Sequence, residues 1–343
     1  MPLDSVRQTI HIRRKKNRVV FHNIARLWDL ARNSHSHQDL LDGLHPWNAP
    51  ITLKFENIQP ILLGICGIFI SLMLFIQPEA FWAQLCLLAG LLLIFWAFIS
   101  YENDDPVEEV IAHLEKEAIA KKYQLNFQRQ PQHLSVPLNP VLFISQLKQM
   151  FPVFSQGNIS NDFPWYASTV WQDDQGKDHQ VMLFQYRYIN EIRAKDKDGN
   201  DIKIKEVQRD LWGVFIFDIE TRGLAVTTAN KSFYYPYSFP WQTSDIQSNE
   251  KLRFFGSDRL EVVKLLTPAM VLKLSDFFAQ RHGDLMFHPD KNMLCFLGPS
   301  NLFQMNSRNT KKIEDISALR GHLRTFNLPY LEKLQHDLTQ FLK

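Results

Sequence analysis

The chain has 343 residues and a net charge of +2, long enough for a membrane anchor plus one or two domains with a substantial core. So even a balance excludes a whole-protein electrostatic case for nucleic acid. Its three cysteines, Cys66, Cys86 and Cys295, have no framework spacing, which excludes a disulfide scaffold and fits a reducing compartment.

Residues 1–57 carry nine Lys/Arg against five Asp/Glu. A basic cluster ending in Arg13, Arg14, Lys15, Lys16 and Arg18 leads into a predicted helix, Val19 to Arg32. Val20, Ile24, Leu27 and Ala31 share one face of it, widened by Phe21, Ala25 and Trp28. Two readings follow. The helix lies on an anionic leaflet, making Arg13, Arg14, Lys15, Lys16, Arg18 and Trp28 membrane-surface candidates, or it docks on the protein's own domain. Nucleic-acid binding ranks behind both, for want of a stacking platform. His35, His37 and His45 fall in a turn-rich loop, Asn33 to Pro50, and no Cys or carboxylate completes a tetrahedral set. They read as part of a solvated linker. The N-terminus is polar and basic, and the first apolar block starts too late for a secretory leader.

Between Asn57 and Tyr101 the only charged residue is Glu79. It separates two apolar blocks, Ile58 to Ile76 and Phe81 to Ser100, each close to the ~20 residues that cross a bilayer as a helix. Gln77-Pro78-Glu79-Ala80 is short enough to force an antiparallel transmembrane hairpin. The turn lacks Lys and Arg while the N-terminal flank is basic, so both termini are expected in the cytoplasm. Gly64, Gly67 and Ser71 on one helix and Cys86 and Gly90 on the other have the small-residue spacing of close packing in lipid. No ionisable residue sits mid-block, which argues against a channel or transporter.

Acidic Asp104 and Asp105 then precede a predicted helix with Val107, Val110, Ile111, Leu114 and Ala118 at helical spacing. It reads as a stalk lifting a domain off the bilayer. A proline-containing linker, 128–140, and a helix from Val141 to Phe151 follow. Beyond Asp162 the period changes to that of strands: Trp165 to Trp171, Gln180 to Ile189, Ile202 to Val207, Leu211 to Ile219 as the central strand, and Leu224 to Thr228. Lys195 to Asn200 is a hairpin tip with Asp-Gly turn chemistry. It resembles a calcium loop only superficially, since its flanks are strands and the twelfth position is Val207. Thr267-Pro268 starts a helix ending at Gly283. Leu285 to His288 and Met293 to Leu297 form a closing hairpin, and a final helix runs from Ile313 to Leu342 with a break at Pro329. The fold class is α+β, a two-helix transmembrane hairpin followed by a largely antiparallel sheet with flanking helices. The expected divisions are a tail (1–57), hairpin (58–100), stalk and linker (101–156), α+β domain (157–310) and C-terminal helix (311–343).

The stretches Glu206 to Ile219 (EVQRDLWGVFIFDI), Ser257 to Met270 (SDRLEVVKLLTPAM) and Asp284 to Leu297 resemble the bacterial DUF3137 family, over about residues 110–305. Arg209-Asp210-Leu211 and the aromatic run Phe233 to Trp241 depart from its pattern. The resemblance implies a bacterial inner-membrane protein that can be encoded beside a LemA-type membrane protein, a candidate partner. It carries no activity and no catalytic residues.

In the aromatic run, two prolines bar a central strand. Tyr234, Tyr235, Tyr237, Phe239 and Trp241 are candidate partner-binding anchors, or else they cap the sheet's core. The leading functional reading is a membrane-anchored, cytoplasm-facing interaction or adaptor module, with lipids and a protein partner and no cofactor, metal or nucleic acid. One alternative is a lipid or envelope-stress sensor using the basic helix. The other is an enzyme with acid and base drawn from Asp218, Glu220, Asp245 and His282, although no nucleotide, hydrolase or metallopeptidase motif accompanies them. Cys295 alternates with apolar neighbours and reads as a core thiol.

Overall fold

The computed structural model describes residues 15–73, 81–131, 143–195, 201–220, 222–233, 235–307 and 312–342. The chain divides into two compact units, Met1–Lys122 with Ser307–Phe326, and Tyr123–Asn306 with Asn327–Lys343.

The first unit is helical. Its described helices are α1 (Lys15–Asn33), α2 (His37–Gly43), α3 (Ile58–Leu72), α4 (Phe81–Ser100), α5 (Asp105–Lys122) and, from the far end of the chain, α10 (Ile316–Thr325). The predicted face of α1, Val20, Ile24, Leu27 and Ala31, is buried, and α1 packs along α5. Helix α5 in turn buries Val107, Val110, Leu114 and Ala118. It is therefore a packed bundle helix and not a free-standing stalk; its apolar stripe needed a protein partner. Ser36 and Asp39 form a capping box that starts α2 and sets Leu40 and Leu41 into the core.

Two buried asparagines on α1 hold the strap that leads to α3. Asn23 donates to the Pro50 and Thr52 carbonyls at 2.8 and 2.9 Å and accepts from the Trp47 indole at 3.1 Å. Asn17 accepts from the Glu56 N–H at 2.9 Å. With their polar atoms matched, these residues can sit in the core without the desolvation cost of an orphan. The strap also bonds to the segment before α10, through Leu53 N–H to Glu314 O and Ile316 N–H to Ile51 O.

The second unit is built on a nine-stranded sheet of order β1-β2-β3-β4-β9-β8-β5-β7-β6, antiparallel at every described pairing. The strands are β1 (Asn126–Phe127), β2 (Ser160–Gln172), β3 (Asp178–Lys195), β4 (Asp201–Phe217), β5 (Leu224–Thr227), β6 (Phe239–Trp241), β7 (Arg253–Gly256), β8 (Asp284–Phe287) and β9 (Met293–Gly298). The two strands expected at 202–207 and 211–219 are one strand, β4. Polar Gln208, Arg209 and Asp210 do not interrupt it, because Asp210 accepts from Arg187 at 2.7 Å and Gln185 at 3.0 Å across on β3. Interior position for the apolar half of β4 holds: it lies between β3 and β9.

One face of the sheet carries Phe184, Tyr186, Phe215, Phe217 and Met286, covered by α6 (Phe143–Met150) and the turn Pro152–Ser155. Phe215 stacks on Phe184 with centroids 4.5 Å apart. On the other face Phe277 of α9 (Pro268–Phe278) packs on Phe296, and Phe341, beyond α11 (Pro329–Thr339), packs on Phe277 and Phe287. The C-terminal stretch is two helices, with the break falling just before Pro329. Pro329 disfavours helix at Leu328, and the halves belong to different units.

The β8–β9 turn is tied by a buried histidine. His288 Nδ1 accepts the N–H groups of Asp290 and Lys291, each at 3.0 Å, which requires a neutral ring. Burial pushes its pKa down from 6.5 to about 4, against the upward pull of Asp290. The unfolded chain therefore takes up the proton first as pH falls. Stability is expected to be full above pH 6.5 and to fall toward pH 4 by about 1.4 kcal/mol per pH unit. Urea unfolding of the detergent-solubilised full chain, compared with His288→Asn, checks this; equal pH slopes would rule the histidine out.

Candidate membrane and partner surfaces

Helices α3 and α4 pack antiparallel, Gly64 facing Ala97 and Gly67 facing Gly90 and Ile94. Below them Asn57 and the Glu102 backbone exchange two hydrogen bonds, 2.6 and 3.1 Å, closing the base of the pair. The small residues turn inward. Ile61, Leu62, Ile65, Ile68 and Phe69 of α3 and Leu85, Leu88, Leu91, Leu92 and Phe95 of α4 remain exposed. An apolar surface of this extent is not one that water tolerates. Helix α4 is long and apolar enough to cross a membrane; α3 is apolar but covers 15 described residues, and residues 74–80 lie outside the description.

Of the membrane-surface candidates, Lys16 pairs with Glu56 at 3.1 Å, and the Trp28 ring lies tilted against His113 with centroids 4.4 Å apart. Arg18 is exposed and Lys15 opens α1, while Arg13 and Arg14 lie outside the described residues.

The aromatic run divides by residue. Tyr237 is fully buried and donates from its hydroxyl to Phe287 O at 3.1 Å. Phe233 joins the same core. Tyr235 is 82% exposed and Phe239 49%; Tyr234 lies outside the described residues. Phe239–Trp241 is β6, the edge strand, and Pro240 sits there because an edge spares the missing N–H. Trp241 forms a wall of a cavity of about 340 Å³ shared with Val263, Leu266, Val271 and Leu272. Val263 belongs to α8 (Arg259–Leu265), and exposed Leu260, Ile246 and Leu272 extend the apolar area. The strap Thr243 to Asn249 is held rigid beside it: Asn249 accepts from Thr243 N–H, and Ser248 bonds Ser275.

The four acid–base candidates are not assembled. Asp245 caps α7 (Ile246–Lys251), and the Ser248 hydroxyl together with backbone N–H groups holds its carboxyl below the usual range. Asp218, Glu220 and His282 are exposed. Among the described residues, no hydrogen bond or ion pair joins any two of the four. Nor do the described residues include a cluster of three His, Cys, Asp or Glu able to hold a metal. His37 instead sets its ring edge-on to Phe326 at 5.7 Å, and burial lowers its pKa. Cys295 is fully buried, which pushes its thiol pKa up and makes it inert. The motif at Asp196–Asn200 lies outside the described residues.

The molecule is thus an α+β protein with a large antiparallel sheet and one helix fit to span a membrane. In comparison with known proteins, the chain matches no family model, no curated protein and no solved structure.

Proposed function

We propose that the protein is an inner-membrane-anchored interaction module with α3 and α4 crossing as a hairpin and both termini in the cytoplasm. The observation that carries this is the division of faces on the helix pair: small residues meet within it, and bulky apolar side chains cover its outside. The lack of Lys and Arg between the blocks supports the orientation. Protease digestion of a C-terminally tagged protein in inverted vesicles, but not in spheroplasts, is the expected result; the reverse would overturn the topology.

The partner surface is the β6 end of the sheet. A tryptophan on an edge strand, at the wall of a cavity shared with exposed Val263 and Leu272 and two residues from exposed Phe239, has the make-up of an interface anchor. The resemblance to the DUF3137 family favours a membrane protein as partner, a LemA-type protein among the candidates. Photo-crosslinking residues at Phe239 or Leu272 are expected to give one discrete adduct in membranes, and Trp241→Ala to reduce it by roughly tenfold or more. A crosslinker at exposed Tyr330 serves as control. No adduct from either position, or an adduct indifferent to Trp241, would sink this surface.

A further inference from the structure

The strap before α3 is fixed by Asn17 and Asn23 along α1 and by the Asn57–Glu102 clasp at its end. Beside it opens a cavity of about 490 Å³. Val19, Pro50, Phe55 and Ile58 give it apolar walls, and Lys16 and Lys54 bring two ammonium groups, one paired with Glu56 on the lining and the other with Glu314 off it. Ile58 is the first residue of α3 and is itself exposed. The 20 residues of α4 rise about 30 Å, the thickness of the hydrocarbon layer. The ends of the pair at Ile58 and Ser100 therefore fall where hydrocarbon gives way to headgroups. A cavity at that depth meets lipid phosphates.

The lysines are available to them. Lys16 pairs with Glu56 at 3.1 Å and Lys54 with Glu314 at 2.8 Å, with side chains 76% and 64% exposed. Ion pairs so exposed are weakly held, and an ammonium with one partner retains two N–H donors. A free phosphate would use only the two charges; a phospholipid uses the charges and the apolar wall together.

The geometry points to this cavity as a binding site for an anionic phospholipid, its phosphate on Lys16 and Lys54 and its glycerol-proximal carbons on Val19, Phe55 and Ile58. The inference rests on the membrane reading above and adds a lipid class to it. Basic side chains at this level each strengthen the attraction to an anionic leaflet. The cavity would turn that general attraction into selection of one lipid at the base of the anchor.

Native mass spectrometry of the full chain in nonionic detergent tests it, with short-chain phosphatidylglycerol, phosphatidylcholine and glycerol phosphate as probes. Phosphatidylglycerol is expected to be retained in preference to both others. The Lys16→Gln/Lys54→Gln variant is expected to bind it more weakly by roughly tenfold or more. Lys16→Arg/Lys54→Arg should restore the preference, and Lys264→Gln, an exposed lysine of the second unit, should leave it intact. Equal binding of phosphatidylcholine, equal competition by glycerol phosphate, or an unaffected glutamine variant would each overturn the site. Alkaline carbonate extraction separates the two failures. A chain that stays with the membrane but shows no lipid preference loses only the cavity, and a chain that is extracted loses the anchor as well.

Discussion

Gly90→Leu is expected to force α3 and α4 apart and to lower the stability of the pair by about 3 kcal/mol, the upper range for overpacking a closed contact. A Cβ at residue 90 would overlap the Ser71 hydroxyl and lie 2.5 Å from the Gly67 carbonyl oxygen and 2.9 Å from the Ser71 nitrogen. The hydroxyl can rotate, but the two backbone atoms cannot. The cost then falls on the helices, which must separate and give up the contact between Gly67 and Ile94 as well. The check is a disulfide. A Cβ at Gly64 lies 3.6 Å from Ala97 Cβ, within the range of a bridged pair. With Cys66 and Cys86 replaced by serine, Gly64→Cys/Ala97→Cys should crosslink in membranes on mild oxidation. Adding Gly90→Leu should abolish the crosslink. If the parent pair fails to crosslink, or the leucine variant still does, the helix contact described above is wrong.

Why the sequence exposed some of this and concealed the rest follows from the physics of each element. Long apolar blocks and long strands carry their own period, so α3, α4, β2, β3 and the β8–β9 hairpin are visible in it. Thr267-Pro268 marks the start of α9 because hydroxyl cap and N1 proline are local chemistry: Thr267 accepts from Met270 N–H at 3.3 Å. The prolines kept the aromatic run out of the sheet's centre for an equally local reason. Strands of two to four residues, such as β1, β6 and β7, are too short to show alternation, and their partners supply the reason they form. Asn17 and Asn23 are core residues that no local spacing marks, because the strap that satisfies them lies 27 to 39 residues away, at Pro50 to Glu56. The same holds for the partner surface. Tyr235 and Tyr237 are two residues apart and chemically identical, and the partners that hold Tyr237 inside include the Phe287 carbonyl, fifty residues away. Trp241 was visible as an aromatic, but its cavity is completed by Val263 and Leu272, which no spacing within 233–241 could announce.

Lys231→Met is expected to destabilise the second unit by about 3–5 kcal/mol, the cost of stranding a buried charge. Asp284, at the start of β8, has a side chain only 7% exposed, and Lys231 donates to its Oδ2 at 2.6 Å. The other oxygen, Oδ1, is buried with no hydrogen-bond partner, so the ammonium carries the compensation nearly alone. Removing it leaves a carboxylate that water cannot reach, next to the β8–β9 core. If so, neutralising the acid should return most of the loss. Lys231→Met/Asp284→Asn is expected to be closer to the parent than Lys231→Met is, giving a coupling energy of about 1 kcal/mol or more in a double-mutant cycle. A Lys231→Met protein as stable as the parent, or a cycle with no coupling, would mean that Asp284 finds its compensation elsewhere.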